Sequence, residues 1–309
     1  MSSPRVFVCG ATGTQGGALV KYLVKHGIGV HAITRNIDSV ISKTLQLSGV
    51  HLTEGDFNDE QTLGETMSSC TALFLNVCPT HNNPTEELEQ AKRMISIAKR
   101  SGIEHIIYTS ILSATNTQKM PYWNPDSVMG KMISIKESIE NEVRRADFQG
   151  WKIVRPGNFM SNYLDPVVRM YPGLVETGEF RTALSRDTVI HMVDPEDIGK
   201  MAAAAIMNPT KFHGKNIEVA SEVKRLEEVM YDLSTATGRD LKANFLSEKE
   251  IREQITENPF LNAQLLLCDM PQLIKPEKVE CWGINLGTFA RFLQREKLWV
   301  ARTYLELGV

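Results

Sequence analysis

The sequence has no large surplus of either charge. Its 309 residues carry 34 Lys and Arg against 37 Asp and Glu, a formal net charge of -3. No positive field draws the chain to nucleic acid or to an anionic membrane, so direct binding to either is not expected. Long apolar runs are also absent: stretches such as Met201 to Met207 fall far short of the ~20 residues that a membrane helix requires. The five cysteines, Cys9, Cys70, Cys78, Cys268 and Cys281, include no Cys-x-x-Cys and no nearby pair of histidines, so no metal site is expected and they read as buried thiols in a reducing compartment. The chain shows no internal repeat and no low-complexity linker. The opening Met-Ser-Ser-Pro-Arg lacks the apolar core and cleavage site of a signal peptide, which predicts a cytoplasmic location, with the nucleus also open.

What the chain does have is rhythm. Val6 to Cys9 reads as a strand, followed by a helix whose face holds Leu19, Tyr22 and Leu23 and which ends at Gly27. Val30 to Thr34 and Val50 to Thr53 read as strands around a helix over Ser39 to Leu47, and Ala72 to Val77 as a fourth strand before a long helix, Pro84 to Arg100. His105 to Ser110, a helix from Met129 to Ala146 and a strand from Trp151 to Arg155 complete the series. Alternation of this kind predicts an α/β fold of Rossmann type: a doubly wound parallel sheet of order 3-2-1-4-5-6. Beyond Pro156-Gly157 the rhythm breaks. Residues 1–157 are therefore expected to form the dinucleotide-binding domain, and 158–309 a smaller, mainly helical lobe for substrate or partner. In that lobe Asp194 to Asp197 opens a helix, Asn216 to Ala220 reads as a strand, Leu226 to Leu233 is amphipathic, and Ser247 with Glu250 has capping-box spacing.

The first strand runs into GATGTQG, residues 10 to 16. Gly10 suits a tight turn, Gly13 a close approach of a diphosphate to the backbone, and Gly16 the packing of helix on sheet, while the helix N-terminus offers unpaired N–H groups to the anion. The second strand ends Ile33-Thr34-Arg35-Asn36, where an NAD site would place an acid for the ribose hydroxyls. Arg35 suits a 2′-phosphate instead, so NADP(H) is the expected cofactor, with NAD(H) as the second choice.

GATGTQGG at 10 to 17, ITRN at 33 to 36, GDFND at 55 to 59, KESIE at 136 to 140 and IVRPGNFMSNYL at 153 to 164 together resemble the NmrA-like branch of the atypical short-chain dehydrogenases/reductases. The likeness continues through VDPEDIG at 193 to 199 and GKNIEVAS at 214 to 221. The resemblance implies that Thr12, Gly13, Gln15 and Gly16, in one turn with Gly10 and Thr14, line the diphosphate and that Arg35 meets the 2′-phosphate. It places Asp56 and Phe57 beside the adenine, Asn76 and Val77 along the ribose, and Pro156, Gly157, Asn158 and Phe159 at the nicotinamide. Asp56 as a helix cap and Phe57 as core filler are the plain structural alternatives.

One departure bears on chemistry. The wider superfamily carries Tyr-x-x-x-Lys, a tyrosine acid with a lysine that assists it. Lys136 aligns with the lysine, but the tyrosine position is Met132, and a thioether donates no proton. Three readings follow: Lys136 serves as acid/base alone; a tyrosine from elsewhere, Tyr122 or Tyr163, reaches the nicotinamide; or no hydride is transferred and the fold is a cofactor-sensing regulator that binds a protein partner. Ser110 stands near the family's usual serine, His191 faces either a substrate cleft or a hydrogen-bonding partner, and Lys131 reads as surface. Met160, Tyr163, Leu164 and Met170 make either a greasy pocket for a small apolar substrate or ordinary packing.

Overall fold

The computed structural model describes residues 4–78, 85–112, 117–256, 258–269 and 283–305. The chain opens β1 (Arg5–Val8), α1 (Thr14–Lys25), β2 (Gly29–Thr34), α2 (Val40–Leu47), β3 (His51–Glu54), α3 (Glu60–Met67), β4 (Ala72–Leu75), α4 (Glu86–Arg100), β5 (His105–Thr109), α5 (Val128–Arg145) and β6 (Gly150–Pro156). It continues β7 (Asn158–Phe159), β8 (Glu179–Thr182), β9 (Val189–Val193), α6 (Pro195–Met207), α7 (Pro209–Phe212), β10 (Lys215–Val219) and β11 (Glu222–Arg225). The last elements are α8 (Leu226–Thr237), β12 (Lys242–Phe245), α9 (Glu248–Gln254), α10 (Pro259–Asp269), α11 (Phe289–Arg295) and α12 (Lys297–Tyr304).

The main sheet has seven strands in the order β10-β6-β5-β4-β1-β2-β3, which is the expected order with β10 added beyond β6. Val6 pairs with Val30 on one side and Ala72 on the other, both parallel, and β4 with β5 and β5 with β6 continue the parallel ladder. Fully buried runs such as Ala72–Leu75 are what a sheet covered on both faces demands. On one face Phe7, Leu73, Leu75, Ile106 and Ile153 pack with Met67, Met94, Ala98, Ile139 and Val143 from α3, α4 and α5.

The chain forms two compact units: Met1–Ala114 with Met132–Arg155 and Pro195–Ile217, and Thr115–Lys131 with Pro156–Asp194 and Glu218–Val309. The expected cut at 157/158 is therefore not the one that the compact units follow, because α6 returns to the first unit. Its Gly199 explains the return: a Cβ there would lie 2.7 Å from the backbone of Ala18, so α6 lies directly on α1 and only glycine permits that approach.

The second unit carries a three-stranded sheet, β11-β9-β7, and a two-stranded one, β12-β8, beside its helices. Its core includes Met160, Tyr163, Leu164, Phe180, Leu233, Phe289 and Tyr304. The capping box at Ser247 and Glu250 forms reciprocally at the start of α9, as its spacing predicts. The cysteines do not all sit inside: Cys9 and Cys70 are buried, Cys268 is half-buried and Cys78 is exposed, since Cys78 follows the end of β4 where the chain leaves the sheet. Cys281 lies outside the described residues. Among the described residues no helix is long and apolar enough to cross a membrane, and no three metal-ligating side chains gather.

Candidate functional site

At the carboxyl end of β1 the chain turns at Gly10, whose φ of +64° lies in the left-handed region that side chains disfavour. Gly13 donates its N–H to the Gly10 carbonyl at 2.9 Å, and α1 starts one residue later with no side-chain cap. At Gly16 a Cβ would lie 2.2 Å from the Gly10 carbonyl oxygen and 2.8 Å from that of Cys9; the helix rests on the strand exit with no room for a methyl group. Thr12, Gly13 and Thr14 are exposed. The first turn of α1 thus stays open, and its N–H groups suit an anion. Gln15 points the other way. Its Nε2 donates to Asn76 Oδ1 at 3.4 Å and its Oε1 accepts from the Thr109 hydroxyl at 2.5 Å, so the side chain ties the turn to the ends of β4 and β5.

Arg35 follows β2, is exposed, and takes no hydrogen bond or ion pair among the described residues. The loop that carries it is closed on itself. Ser42, fully buried, donates to the Asn36 carbonyl at 2.7 Å and accepts from the Ser39 hydroxyl at 2.8 Å, while Asn36 Oδ1 accepts from the Asp38 N–H at 3.0 Å. After β3, Asp56 is exposed and accepts from the Asn58 N–H at 2.7 Å. The α3 cap is Asp59, not Asp56. Phe57 is half-buried against the core, and Arg93 donates to its carbonyl at 3.2 Å.

The end of β4 leads to the densest polar arrangement. Val77 is buried, and its carbonyl accepts from Lys136 Nζ at 3.2 Å. The same ammonium lies 2.5 Å from Glu87 of α4, the two side chains being 13% and 1% exposed, and 5.8 Å from the centre of the Tyr108 ring. One turn on in α5, Glu140 accepts from Arg155 Nε and Nη2 at 2.9 and 2.6 Å and from Arg144 Nη2 at 2.7 Å. Burial alone would raise the Glu140 pKa, but the hydrogen bonds and charge of Arg155, with Ser110 and Arg144, hold it below the usual carboxylate range. Burial sends the Tyr108 phenol well above its ordinary value, and Glu87 and Glu140 push it the same way. Ser110 is only 6% exposed and lies beside Tyr108 and Glu140. Met132 is half-buried and Lys131 exposed.

Glu87 is the residue that sequence reasoning missed. Its signal was present: it stands four residues before Ala91 and in phase with the buried Met94, Ile95 and Ala98. An acid in register with an apolar stripe requires a buried partner.

The remaining expected residues lie in the second unit. Pro156 ends β6 and is buried, and the Gly157 N–H donates to the Val219 carbonyl at 3.0 Å. A Cβ at Gly157 would come 2.2 Å from the His191 carbonyl oxygen, which is how β7 pairs with β9, Asn158 opposite Met192 and Phe159 opposite Val193. Burial lowers the pKa of the half-buried His191. Of the apolar pocket candidates, Met160, Tyr163 and Leu164 are core residues, at most 5% exposed, whereas Met170 is 39% exposed. Tyr163 packs on Tyr171 and Phe289 with ring centroids 5.7 and 5.4 Å apart within the core of the second unit, and burial drives its phenol well above the ordinary value. Tyr122 is 49% exposed, with its N–H donating to Asp269 Oδ2 at 3.2 Å.

A model of the NmrA-like family matches residues 2–280. An NmrA-like family domain-containing oxidoreductase of Penicillium ochrochloron, ptmS, is 24% identical over 251 residues, which cover 76% of this chain and 73% of that protein. The NADPH-dependent quinone oxidoreductase QOR2 of Escherichia coli, solved with NADPH, superposes with a TM-score of 0.73 at 20% identity over 94% of this chain and 99% of that one. NmrA, a negative transcriptional regulator solved with NADP, gives 0.74 at 18% identity over 100% and 99%. At these identities the structural likeness is one of fold. The glycine turn, the sheet order and a family match over nearly the whole length lead to one conclusion: the chain belongs to the NmrA-like family.

Proposed function

We propose that this chain is an NADP(H)-dependent oxidoreductase that reduces an electron-poor carbon of a small molecule, a carbonyl, imine or activated alkene. The observation that carries the reading is the glycine turn: Gly10 in the left-handed region, Gly16 closed against it, and an uncapped α1 whose first turn is exposed. That cradle fits a dinucleotide diphosphate. In this reading Gly10, Thr12, Gly13, Thr14 and the backbone of Gln15 and Gly16 hold the diphosphate and Arg35 the 2′-phosphate. Asp56 and Phe57 flank the adenine, Asn76 and Val77 the ribose, and Pro156 to Phe159 border the nicotinamide. Bound there, NADPH supplies a hydride to the substrate. Lys136 serves the nicotinamide end, since its ammonium is fixed at the Val77 carbonyl. The apolar character expected of the substrate loses the support of Met160, Tyr163 and Leu164, which are spent on packing; the electrophilic class stands on the family's oxidoreductases.

Calorimetric titration of NADPH and NADH against wild type and Arg35→Ala tests the cofactor half. Arg35 is exposed, so its loss is expected to weaken NADPH binding by about 5- to 10-fold and to leave NADH unchanged. Equal affinities for the two cofactors in the wild type would refute the assignment. Loss of reduced-nicotinamide absorbance with a panel of ketones, quinones, imines and enones tests the chemistry; a chain that binds NADPH and reduces none of them is not a reductase of this kind.

A further inference from the structure

A buried ion pair is an expensive way to join two helices, because both charges lose their water and a well-packed apolar pair often serves as well. Glu87 and Lys136 are such a pair. Both Glu87 carboxylate oxygens are buried without a hydrogen-bond partner, and the Lys136 ammonium at 2.5 Å is their counter-charge. That ammonium has three N–H donors. One goes to the Val77 carbonyl at 3.2 Å, Glu87 stands against the ammonium as a counter-charge, and the Tyr108 ring closes the side 5.8 Å away. The lysine stem, normally free about four bonds, is held from three directions with donor capacity left over.

We propose that Glu87 is a positioning residue: its carboxylate holds Lys136 so that a remaining N–H is aimed at the nicotinamide ribose. The proposal rests on the reading that Lys136 serves the nicotinamide end of the cofactor. Glu87 itself touches no ligand. Its effect is preorganisation, since a lysine already ordered by Glu87 and Val77 loses little further freedom when the ribose arrives. The Val77 carbonyl gives the arrangement its register, because it directly follows Asn76 at the strand end assigned to the ribose.

The test uses two ligands, NADPH and 2′,5′-ADP, which carries the adenosine and its 2′-phosphate but no nicotinamide ribose. Both are titrated calorimetrically against wild type, Glu87→Gln, Lys136→Met and the double variant, with thermal melts in parallel. Glu87→Gln is expected to weaken NADPH roughly 5- to 30-fold and 2′,5′-ADP less than about twofold; in the Lys136→Met background it is expected to change NADPH binding by less than about twofold. Lys136→Met alone leaves a lone buried carboxylate. Should it fail to fold, Glu87→Asp, which withdraws the charge by one methylene, replaces it and is expected to show the same loss for NADPH only. An unchanged NADPH affinity in Glu87→Gln overturns the proposal. So does an equal loss for both ligands, which marks a general disturbance, or a loss that persists without Lys136. If the wild type binds neither ligand, the nucleotide-site reading fails and takes this proposal with it.

Discussion

Lys152 lies in β6 at 0% exposure, and its Nζ has no hydrogen-bond partner. A Cβ at Gly150 would be 3.2 Å from that Nζ and 2.7 Å from His105 Nδ1, so two buried nitrogens crowd the same strand position. Burial pushes the lysine pKa down from 10.5 to about 8, and lowers His105 as well, with Lys152 adding to that effect. In the folded chain the amine thus releases its proton near pH 8, whereas in the unfolded chain it keeps it to about pH 10.4. Unfolding takes up a proton between these limits, and stability rises with pH across that window. A fall from 10.5 to about 8 corresponds to about 3 kcal/mol at ~1.36 kcal/mol per pH unit, and solvent screening and side-chain relaxation bring the working expectation to roughly half of that. Lys152→Met keeps the stem and removes the charge. It is expected to stabilise the protein by about 1.5 kcal/mol at pH 6.5, with an advantage that shrinks as pH climbs past 8 and is gone above 10.5. Urea melts of both proteins at pH 6.5 and 10 give the comparison. A variant less stable than wild type at pH 6.5, or one with the same advantage at both pH values, would refute the uncompensated-cation argument.

Gly16→Ala places a methyl group 2.2 Å from the Gly10 carbonyl and is expected to cost about 3 kcal/mol in urea melts and to abolish NADPH binding. Gly17→Ala, whose Cβ would sit 3.3 Å from the Ala11 carbonyl, is expected to cost under about 1 kcal/mol, so equal costs would show that the turn is not jammed. Glu140→Gln leaves the buried Arg155 without its charge and is expected to lose about 3 kcal/mol at pH 7. Because the folded Glu140 pKa is depressed, the wild-type advantage is fully present above about pH 4.3 and lost as pH falls through the folded value. Melts at pH 7 and pH 3 that show the same gap would contradict the assigned cause.

The parallel sheet was legible because apolar runs, glycine stops and helical stripes recur in one rhythm, and that rhythm admits few topologies. The place of Arg35 directly after β2 was legible because a strand end is a fixed address in such a sheet. Other features follow no local period. The strands β7, β8, β11 and β12 are two to four residues long and exist by pairing with distant segments, so no window around them announces a strand. The return of α6 to α1 hangs on the space at Gly199, which composition does not disclose. Met160 and Tyr163 show a limit of another kind: pocket wall and core are built from the same side chains, and only burial tells them apart. Glu87 was passed over because a charged helix residue is usually solvated, and its phase against Ala91 and Met94 is what distinguished it.

The loop from Thr34 to Ser42 closes its hydrogen bonds within itself, through Asn36, Asp38, Ser39 and the buried Ser42, and leaves Arg35 outside that net. Such a loop is a detachable part. The residue at 35 can be exchanged without redesigning anything that the loop depends on, and under the proposed function that exchange would alter the choice between phosphorylated and unphosphorylated adenosine. The opposite holds for Gln15, whose carboxamide joins Asn76 and Thr109: a change there is felt at two further strand ends. The segment after β2 can therefore change with fewer consequences for its neighbours than the turn after β1, and if Arg35 meets the 2′-phosphate as proposed, an engineer seeking to re-tune cofactor choice has more freedom there.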